Sequence, residues 1–258
     1  MSKRATVWLG RLFIIVALLI AWQIAIEHSR IANFFLGSPV AIADKLIDWI
    51  WSGTIFHHLG ITLLETLLSF AIGCGLALLL GLWLALNDTF AAIFDPFIKG
   101  LNSMPRLIMA PIFAVWFGLG IWSKVALGIT LVFFIVFFNV YQGIKEVSPT
   151  LLANARMLGM NEGQLTRHVY WPSALSWMFS SLHTSVGFAV VGAVVGEYLG
   201  AAAGLGYLIQ QAESVFDVAG VFAGMLVLTA FVICIDALVT RVERRLLVWR
   251  PQGVSESV

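Results

Sequence analysis

Apolar residues fall in six long runs that are separated by short polar breaks. The runs cover residues 12–26, 61–86, about 98–117, about 125–141, 175–195 and 221–239. Each is near the roughly 20 residues that a helix needs to cross the hydrocarbon core of a bilayer. The pattern therefore predicts an all-α, polytopic membrane protein with six transmembrane helices and both chain ends on one side.

The first and third runs carry additional signals. Basic residues precede the first run, as in a signal peptide, but no small-x-small cleavage site follows it, so we expect an uncleaved helix. The third run contains Pro105 and Pro111, each of which removes a backbone N–H donor and bends or breaks a helix unless neighbours compensate. Residues 28–58 are mixed in polarity and predict a loop with an amphipathic helix.

The composition supports a membrane protein with one domain. Apolar residues make up 60% of the 258 residues and charged residues 11%, against roughly 25% charged in soluble domains. Six spans and their loops use the whole length, so we expect a single membrane domain over residues 1–258 with a core at 58–245. The net charge of +1 gives no indication of nucleic-acid binding, and lipid is the expected surrounding.

Basic residues beside the predicted spans indicate the orientation. If the amino terminus is cytoplasmic, the residues that lie inside are Lys3, Arg4, Arg11, Lys145, Arg156, Arg167, Arg241, Arg244, Arg245 and Arg250. Those that lie clearly outside are Arg30, Lys45 and Lys124. The positive-inside rule then places both termini in the cytoplasm, together with the loop at about residues 145–174.

The polar hairpin, residues 148–172, is too short and too polar to cross a bilayer, yet it carries clear helix signals. A Ser-Pro pair opens it, and Gly159 stands where a left-handed residue would end a helix. Asn161 and Gln164 resemble a capping box that opens a second helix, which we expect Pro172 to end. Two short helices joined by a glycine turn are predicted.

Helices of about nine residues are marginal in water, so the polar hairpin must pack against something. The apolar positions expected to anchor it to the subunit are Leu151, Leu152, Ala155, Leu158, Leu165 and Val169. The small and polar positions expected to face a partner are Asn154, Gly159, Asn161, Glu162 and Gly163. On the residues alone, a well-capped connecting loop is an equal alternative to a docking element.

The spacing within the polar hairpin resembles the EAA loop of permease subunits in binding-protein-dependent ABC importers. That pattern is Glu-Ala-Ala, then Gly, then Ile-x-Leu-Pro, and it matches residues 153–155, Gly159 and residues 169–172 with every spacing kept. This chain departs from it by Ala153 for Glu, Asn154 for Ala, Val169 for Ile and Trp171 for Leu.

Other segments extend the resemblance, which covers the chain from about residue 60 to the tail. They are residues 102–111, 116–124 and 196–209. Together they look like the nitrate, sulfonate and taurine branch of these permeases. The cargo that this branch implies is a small, often anionic solute such as a sulfonate, taurine or nitrate.

The resemblance also implies a mechanism and a set of partners. In such permeases the loop forms a coupling helix that inserts into a groove on a separate ATPase, which makes this chain one permease subunit in a bacterial inner membrane. The expected partners are two copies of the ATPase, a second permease subunit, usually in a homodimer, and an extracytoplasmic substrate-binding protein. No cofactor is expected in this chain, which lacks the Gly-x-x-x-x-Gly-Lys-Ser/Thr phosphate loop, so ATP-Mg would be bound by the partner.

The resemblance assigns the coupling role to one set of residues. They are Ala153, Asn154, Ala155, Arg156, Gly159, Asn161, Glu162 and Pro172. The absence of Glu at Ala153 removes any ion pair which that residue makes with the ATPase in relatives. No residue is expected to be catalytic or to bind a metal.

Three polar side chains within the apolar runs are candidates for the transport pathway, because a charge near the bilayer centre costs about 2.5–3.5 kcal/mol. They are Arg106, His183 and Glu65. Arg106 is the candidate to meet an anionic substrate, although it could instead reach the cytoplasmic surface. His183 could bond a neighbouring backbone carbonyl, and Glu65 and Asp236 could reach water or an arginine.

Glycines recur at every fourth position near the end of the fifth run. Gly192 and Gly196 are predicted to be helix contacts, since small residues let helices approach closely. Gly200, Gly204 and Gly206 are predicted to be turn residues at the outer end, where a substrate-delivering protein would dock.

Two other functions stay open on the residues alone. One is an intramembrane enzyme, for which His183, Glu65 and Asp236 would have to converge. The chain carries no Gly-x-Ser-x-Gly or His-Glu-x-x-His motif that would support it. The other is a membrane scaffold without transport activity.

Overall fold

The computed structural model describes residues 3–27 and 36–246, and every regular element in them is helical. The helices are α1 (Lys3–Glu27), α2 (Pro39–Trp51), α3 (Thr54–Ala85), α4 (Asp88–Ser103), α5 (Ala110–Phe117), α6 (Ile121–Lys145), α7 (Pro149–Met157), α8 (Glu162–Leu165), α9 (Trp171–Ser180), α10 (Leu182–Leu199), α11 (Leu205–Ser214) and α12 (Val218–Leu246). A 3-10 turn (Arg106–Met109) precedes α5, and a π turn (Thr166–Tyr170) joins α8 to α9. The predicted all-α class is confirmed. Arg30 and Arg250, which were used for the orientation, lie outside the described residues.

Five of these helices are long and apolar enough to cross a membrane. Their apolar stretches are Leu9–Ile26, Thr54–Ala85, Ile121–Lys145, Leu182–Leu199 and Val218–Val242. They match five of the six predicted runs, although the second starts earlier than expected and the fifth is interrupted near Ser181, between α9 and α10. The predicted amphipathic helix is α2, whose N-cap Ser38 accepts the N–H of Ala41 at 3.1 Å.

The predicted third span is not one continuous helix. α4 ends at Ser103, the backbone of Met104 is extended, and the chain becomes helical again only at Arg106. The predicted third span is therefore broken at the first of the two prolines that were expected to bend or break it. The physical reason is Pro105, which lacks an N–H donor and disfavours helical geometry at the residue before it.

α3 and α6 pack side by side and run in the same direction. The Ser69 hydroxyl donates to the carbonyl of Val125 at 3.3 Å, and a Cβ atom on Gly81 would lie 3.1 Å from Cγ1 of Val140. Consecutive transmembrane helices can be parallel only if the chain between them returns from the end of the first to the start of the second. Residues 86–120 make this return. We call the part of them that runs from α4 through the break at Pro105 to α5, residues 88–117, the interrupted segment.

α9 and α10 run antiparallel to α6 along its length. The Ser173 hydroxyl donates to the carbonyl of Gly143 at 3.2 Å near one end, and a Cβ atom on Gly196 would lie 2.8 Å from Cγ of Lys124 near the other. Between them, a Cβ atom on Gly192 would lie 2.4 Å from the Cα of Gly128. Gly192 and Gly196 are therefore helix contacts, as predicted.

We call the end of the helix bundle where α6 meets the polar hairpin the hairpin end, and the other the opposite end. At the opposite end, residues 197–219 contain α11, which packs against α12 through Ile209 and Gly224. Gly204 precedes α11 with a φ of +122°, as its predicted turn role requires. Gly206 lies within α11, so its predicted turn role is wrong.

Phenylalanines of α6 contribute to the centre of the bundle. Phe137 is buried together with Val132, Val136 and Val140, and its ring stacks on that of Phe133 at 5.5 Å between centroids. Phe137 therefore belongs to the core of the bundle. α1 lies at the periphery, where Trp22 contacts Phe222 of α12 edge to face.

Candidate functional site

The first helix of the polar hairpin ends in a fully bonded cap. The N–H of Met160 donates to the carbonyl of Ala155 at 3.1 Å, and the N–H of Gly159 to that of Arg156 at 2.9 Å, which is a Schellman pattern. Gly159 has a φ of +85°, as predicted for a left-handed helix end. Ser148 precedes Pro149 as expected, but its side chain makes no capping hydrogen bond.

The second helix opens with the predicted capping box. The Gln164 N–H donates to Oδ1 of Asn161, and the Asn161 N–H donates to Oε1 of Gln164, both at 2.9 Å. The expectation that Pro172 ends this helix is wrong. After the π turn, Pro172 lies in the first turn of α9, where a missing N–H costs little. The chain therefore continues as helix from α8 into α9.

Burial divides the hairpin differently from the prediction. Ala155 and Leu165 are buried and anchor it, as expected. Leu158 is 83% exposed and Leu151 52%, so the prediction that these two anchor the hairpin is wrong. Leu158 occupies the C-cap, where the chain leaves the helix face that carries Ala155. Met157 is 84% exposed, and we call Met157 and Leu158 together the apolar tip.

The residues expected to face a partner are accessible. Those exposed are Ala153, Asn154, Arg156, Gly159, Asn161, Glu162 and Gly163. Ala155, included in the expected coupling set, is buried and supports the helix from inside. Nη2 of Arg156 lies 3.2 Å from Oε1 of Glu162, which joins the two arms of the hairpin across the glycine turn. Both side chains are more than half exposed, so this ion pair contributes at most about 1 kcal/mol.

The polar hairpin is tied to the bundle at the end of α6. Nζ of Lys145 lies 2.5 Å from Oδ1 of Asp88, the first residue of α4. This hydrogen bond and the positive charge of Lys145 hold the pKa of Asp88 below its ordinary value. α4 and α6 are therefore joined directly beside the start of the hairpin.

Arg106 lies about halfway along the bundle, at the break in the interrupted segment. Its guanidinium carbon is 4.6 Å from the centre of the Phe134 ring, and Nη2 donates to the carbonyl of Asn102 at 2.9 Å as well as to its side-chain oxygen. Nε of Arg106 is buried and has no hydrogen-bond partner among the described residues. None of the ion pairs between described residues includes Arg106, so the guanidinium keeps its charge and part of its hydrogen-bonding capacity.

His183 and Asp236 form a pair between α10 and α12. Nδ1 of His183 is 2.6 Å from Oδ1 of Asp236, with the two side chains 41% and 55% exposed. His183 thus contacts a carboxylate on a neighbouring helix. Glu65 is 2% exposed and lies elsewhere, beside Glu197. The three side chains required by the enzyme hypothesis do not converge.

Sequence reasoning missed a buried polar cluster at the opposite end. Glu197 and Lys124 are each 1% exposed, and neither was among the predicted site residues. Nζ of Lys124 folds back to the carbonyls of Leu119 and Gly120, the latter at 3.1 Å. The sequence signal that could have indicated this burial was Gly196. Because it has no side chain, α6 can approach α10 closely there, which buries Glu197 next to it and Lys124 on α6.

A small cavity of about 170 Å³ lies near this cluster, between α5 and α10. Its lining consists of Ala110, Pro111, Ala114, Ser123, Gly196, Leu199 and Gly200. The lining is mostly apolar and small, and Ser123 supplies a hydroxyl that already donates to the carbonyl of Gly120 at 2.9 Å.

Two curated relatives are similar to nearly the whole chain. The aliphatic sulfonates transport permease protein SsuC of Bacillus subtilis is 31% identical, with 94% of this chain and 88% of the relative covered. The formylaminopyrimidine transport permease protein ThiX of Halalkalibacterium halodurans is 34% identical, with 90% and 92% covered.

A solved structure shares the fold. An inward-facing conformation of the MetNI methionine ABC transporter superposes on 77% of this chain and 97% of its own with a TM-score of 0.61 and 19% identity. At this level of identity the similarity shows that the two chains share a fold.

The family described as the binding-protein-dependent transport system inner membrane component matches residues 77–248. This range includes the polar hairpin and the helices on both sides of it. Permeases of this family are multi-pass inner membrane proteins that work with separate ATPase and substrate-binding partners. Because the match covers more than half of the chain and nearly full-length relatives agree with it, this chain belongs to that family of ABC transporter permeases.

Proposed function

We propose that this permease imports a small anionic solute and that its polar hairpin receives force from a separate ATPase subunit. The observation that carries the proposal is the apolar tip, Met157 and Leu158, which projects from a fully capped helix at one end of the bundle. Large apolar side chains exposed together are typical of a surface that a partner covers.

The chemistry around the apolar tip fits a groove on a partner. Met157 and Leu158 supply apolar surface, and the exposed Asn154 and Arg156 beside them supply hydrogen-bond donors at its edge. An apolar centre with a polar rim is the usual arrangement at protein interfaces. A short helix placed in a groove uses this arrangement, and the backbone caps keep the helix formed before the partner arrives.

The connections of the hairpin suit it for transmitting force. Three residues, 146–148, join α6 to α7, and on the other side the chain stays helical from α8 through α9. The ion pair between Lys145 and Asp88 adds a link to α4. A displacement of the hairpin would therefore move α6 and α9 as connected bodies, which is the rigid-body type of conformational change.

We infer that the hairpin end lies in the cytoplasm. Lys145, Arg156 and Arg167 are all exposed at that end, whereas Lys124 at the opposite end is buried. An excess of exposed basic residues on one side is the positive-inside pattern. With α3 and α6 parallel, the interrupted segment supplies a crossing in addition to the five apolar helices, so both termini would be cytoplasmic.

We propose a homodimer of this chain, with two copies of the ATPase, as the transport unit. The interrupted segment presents large apolar side chains on its outside, with Ile108 71% exposed, Val115 83% and Trp116 66%. A second copy of the chain would cover such a surface and enclose a pathway that one subunit leaves open. Arg106 lies on the same segment and would then be close to that pathway.

The charge of Arg106 favours an anionic cargo of the sulfonate, taurine or nitrate type. A guanidinium at mid-depth without an ion-pair partner among the described residues is a ready contact for a sulfonate or carboxylate. The two relatives are named for different solutes, aliphatic sulfonates and formylaminopyrimidine. Calorimetry on the binding protein that serves this permease, with one solute of each kind, would identify the class.

A substitution in the apolar tip tests the proposed function. Leu158→Asp is expected to lower ATP-driven uptake about tenfold or more, because a charge would replace a central apolar contact with the ATPase. Leu158→Met, which keeps the apolar surface, is the matched control and should transport normally. The assay uses proteoliposomes that contain the permease, its ATPase and its binding protein. Normal uptake and normal ATPase binding by Leu158→Asp would contradict the coupling role.

A further inference from the structure

The start of α11 is held by buried side chains of α3 and α10. The N–H of Gly204 donates to Nδ1 of His58 at 2.9 Å, and the N–H of Leu205 donates to Oγ1 of Thr62 at 2.9 Å. The N–H of Gly206 donates to Oε2 of Glu197 at 2.7 Å. A helix has no partners of its own for its first N–H groups, so these three side chains together cap α11.

The carboxyl groups of Glu65 and Glu197 meet beneath this cap. Glu197 bonds Thr62, which lies one helical turn before Glu65 on α3, so the two carboxyl groups lie within reach of each other, and the residues are 2% and 1% exposed. Two ionised carboxylates are acceptors only, so a hydrogen bond between them requires a proton on one. Oε2 of Glu65 is buried and receives no N–H or O–H from any described residue, which leaves it the place for that proton.

Each carboxylate oxygen of Glu197 already accepts a hydrogen bond from another residue. Its Oε1 receives the Thr62 hydroxyl at 2.6 Å, and its Oε2 receives the N–H of Gly206. Glu197 is thus built to be the ionised member of the pair. Glu65 is left as the member that carries the proton and donates.

The charges around the pair agree with one proton. Nδ1 of His58 accepts a hydrogen bond from Gly204, so this imidazole is neutral in the observed arrangement. Lys124 supplies one positive charge within electrostatic range of both carboxyl groups. With Glu197 ionised and Glu65 protonated, the cluster is electrically neutral, whereas two ionised carboxylates would leave an uncompensated buried negative charge.

We propose that Glu65 and Glu197 form a proton-binding site within the membrane part of the permease, in which one proton joins the two carboxyl groups and so fastens α11 to α3. The observed arrangement is the proton-loaded state. Loss of the proton would place two negative charges in contact and release Glu197 from Glu65, and α11 would lose the part of its cap that Glu197 supplies to Gly206. The proposal is independent of the docking of the polar hairpin, because it concerns the opposite end of the bundle.

Infrared difference spectroscopy on the intact permease in lipid nanodiscs tests the site directly. The wild-type protein at neutral pH is expected to show the C=O band of a buried protonated carboxylic acid, and Glu65→Gln is expected to lack it. Glu146→Gln removes an exposed carboxylate at the hairpin end and is the control that should retain the band. Absence of the band from the wild type, or its persistence in Glu65→Gln, would overturn the proposal.

A pair of variants distinguishes stabilisation by the donated proton from stabilisation by side-chain packing alone. Glu65→Gln is neutral and can still donate to Glu197, so its apparent Tm should equal that of the wild type. Glu65→Leu is also neutral and of similar size but cannot donate, so its apparent Tm should fall by roughly 5 °C. Equal stability of Glu65→Leu, or a large loss in Glu65→Gln, would show that no donated proton holds the pair. Both outcomes can be read without any transport assay.

Discussion

Gly192 of α10 and Gly128 of α6 lie directly against each other, so that a Cβ atom on Gly192 would be 2.4 Å from the Cα of Gly128. The neighbouring atom is backbone and cannot turn aside as a flexible side chain would. α10 and α6 therefore approach through their backbones, which small residues permit inside a membrane. This approach fixes the distance between α6, which leads into the polar hairpin, and α10, which carries Glu197.

A methyl group at Gly192 is expected to destabilise the permease. Gly192→Ala must push α10 away from α6, and overpacking of this kind costs about 1–3 kcal/mol. Gly187→Ala is the matched control on the same helix, because nothing lies within 4 Å of its Cβ position. Thermal unfolding of the purified variants in detergent measures the difference. Equal melting temperatures would mean that the helices are not held at this distance.

Substitution of Gly159 is expected to uncouple ATP hydrolysis from uptake while leaving membrane insertion intact. Its φ of +85° costs a residue with a branched side chain about 1–2 kcal/mol, so Gly159→Val should open the end of α7 and displace the apolar tip. Gly159→Asn is the control, since asparagine adopts this conformation more readily. Uptake and ATPase activity in proteoliposomes measure the coupling, and coupled transport by Gly159→Val would contradict this role of the turn.

Neutralisation of Arg106 is expected to weaken transport of an anion. Arg106→Gln removes the charge at the break in the interrupted segment, and the loss of a charged hydrogen bond corresponds to about a 10- to 100-fold effect. Arg106→Lys keeps the charge and should retain part of the transport. Uptake measured against concentration, together with the melting temperature, separates recognition from folding. Unchanged uptake of the anion by a stable Arg106→Gln variant would remove Arg106 from the pathway.

Asp217 is expected to contribute to stability in two separable ways. Its Oδ1 accepts the N–H of Gly220 at 2.9 Å as the N-cap of α12, and its Oδ2 lies 2.6 Å from Nζ of Lys45 in α2. Asp217→Asn keeps the cap and loses the ion pair, whereas Asp217→Ala loses both. We expect the alanine variant to be about 1 kcal/mol less stable than the asparagine variant in thermal unfolding. Equal stability of the two would show that the cap contributes nothing.

The ion pair of Asp217 also predicts a pH dependence. Burial by itself raises the pKa of Asp217, but the hydrogen bonds from Lys45 and Gly220 and the charge of Lys45 outweigh it, so the pKa lies below its ordinary value. A lowered pKa means that the stabilisation is complete above the ordinary aspartate value and is lost as the pH falls through the lowered one. The wild type should therefore lose more stability on acidification than Asp217→Asn. Parallel pH profiles of the two melting temperatures would contradict this.

Helix boundaries in the polar hairpin could be predicted because their determinants are close in sequence. The Schellman cap at Gly159 and the capping box of Asn161 and Gln164 each involve residues at most five positions apart. The prediction that Pro172 ends a helix failed because the π turn before it changes the hydrogen-bonding register. No local sequence pattern predicts that turn. Leu158 was misjudged because periodicity identifies an apolar residue but does not say whether the face it lies on is covered.

The sequence by itself determined the all-α membrane class, five of the spans and the capped hairpin, because runs of apolar residues and helix caps act over short distances. Only the tertiary structure decided that α3 and α6 are parallel and that the segment between them is broken at Pro105. It alone brought Glu197 onto Thr62, 135 residues away in the chain, and buried Glu65 and Lys124 beside it. Such contacts depend on how whole helices pack, and the free energy of a buried charge is set by partners that its neighbours in sequence do not reveal.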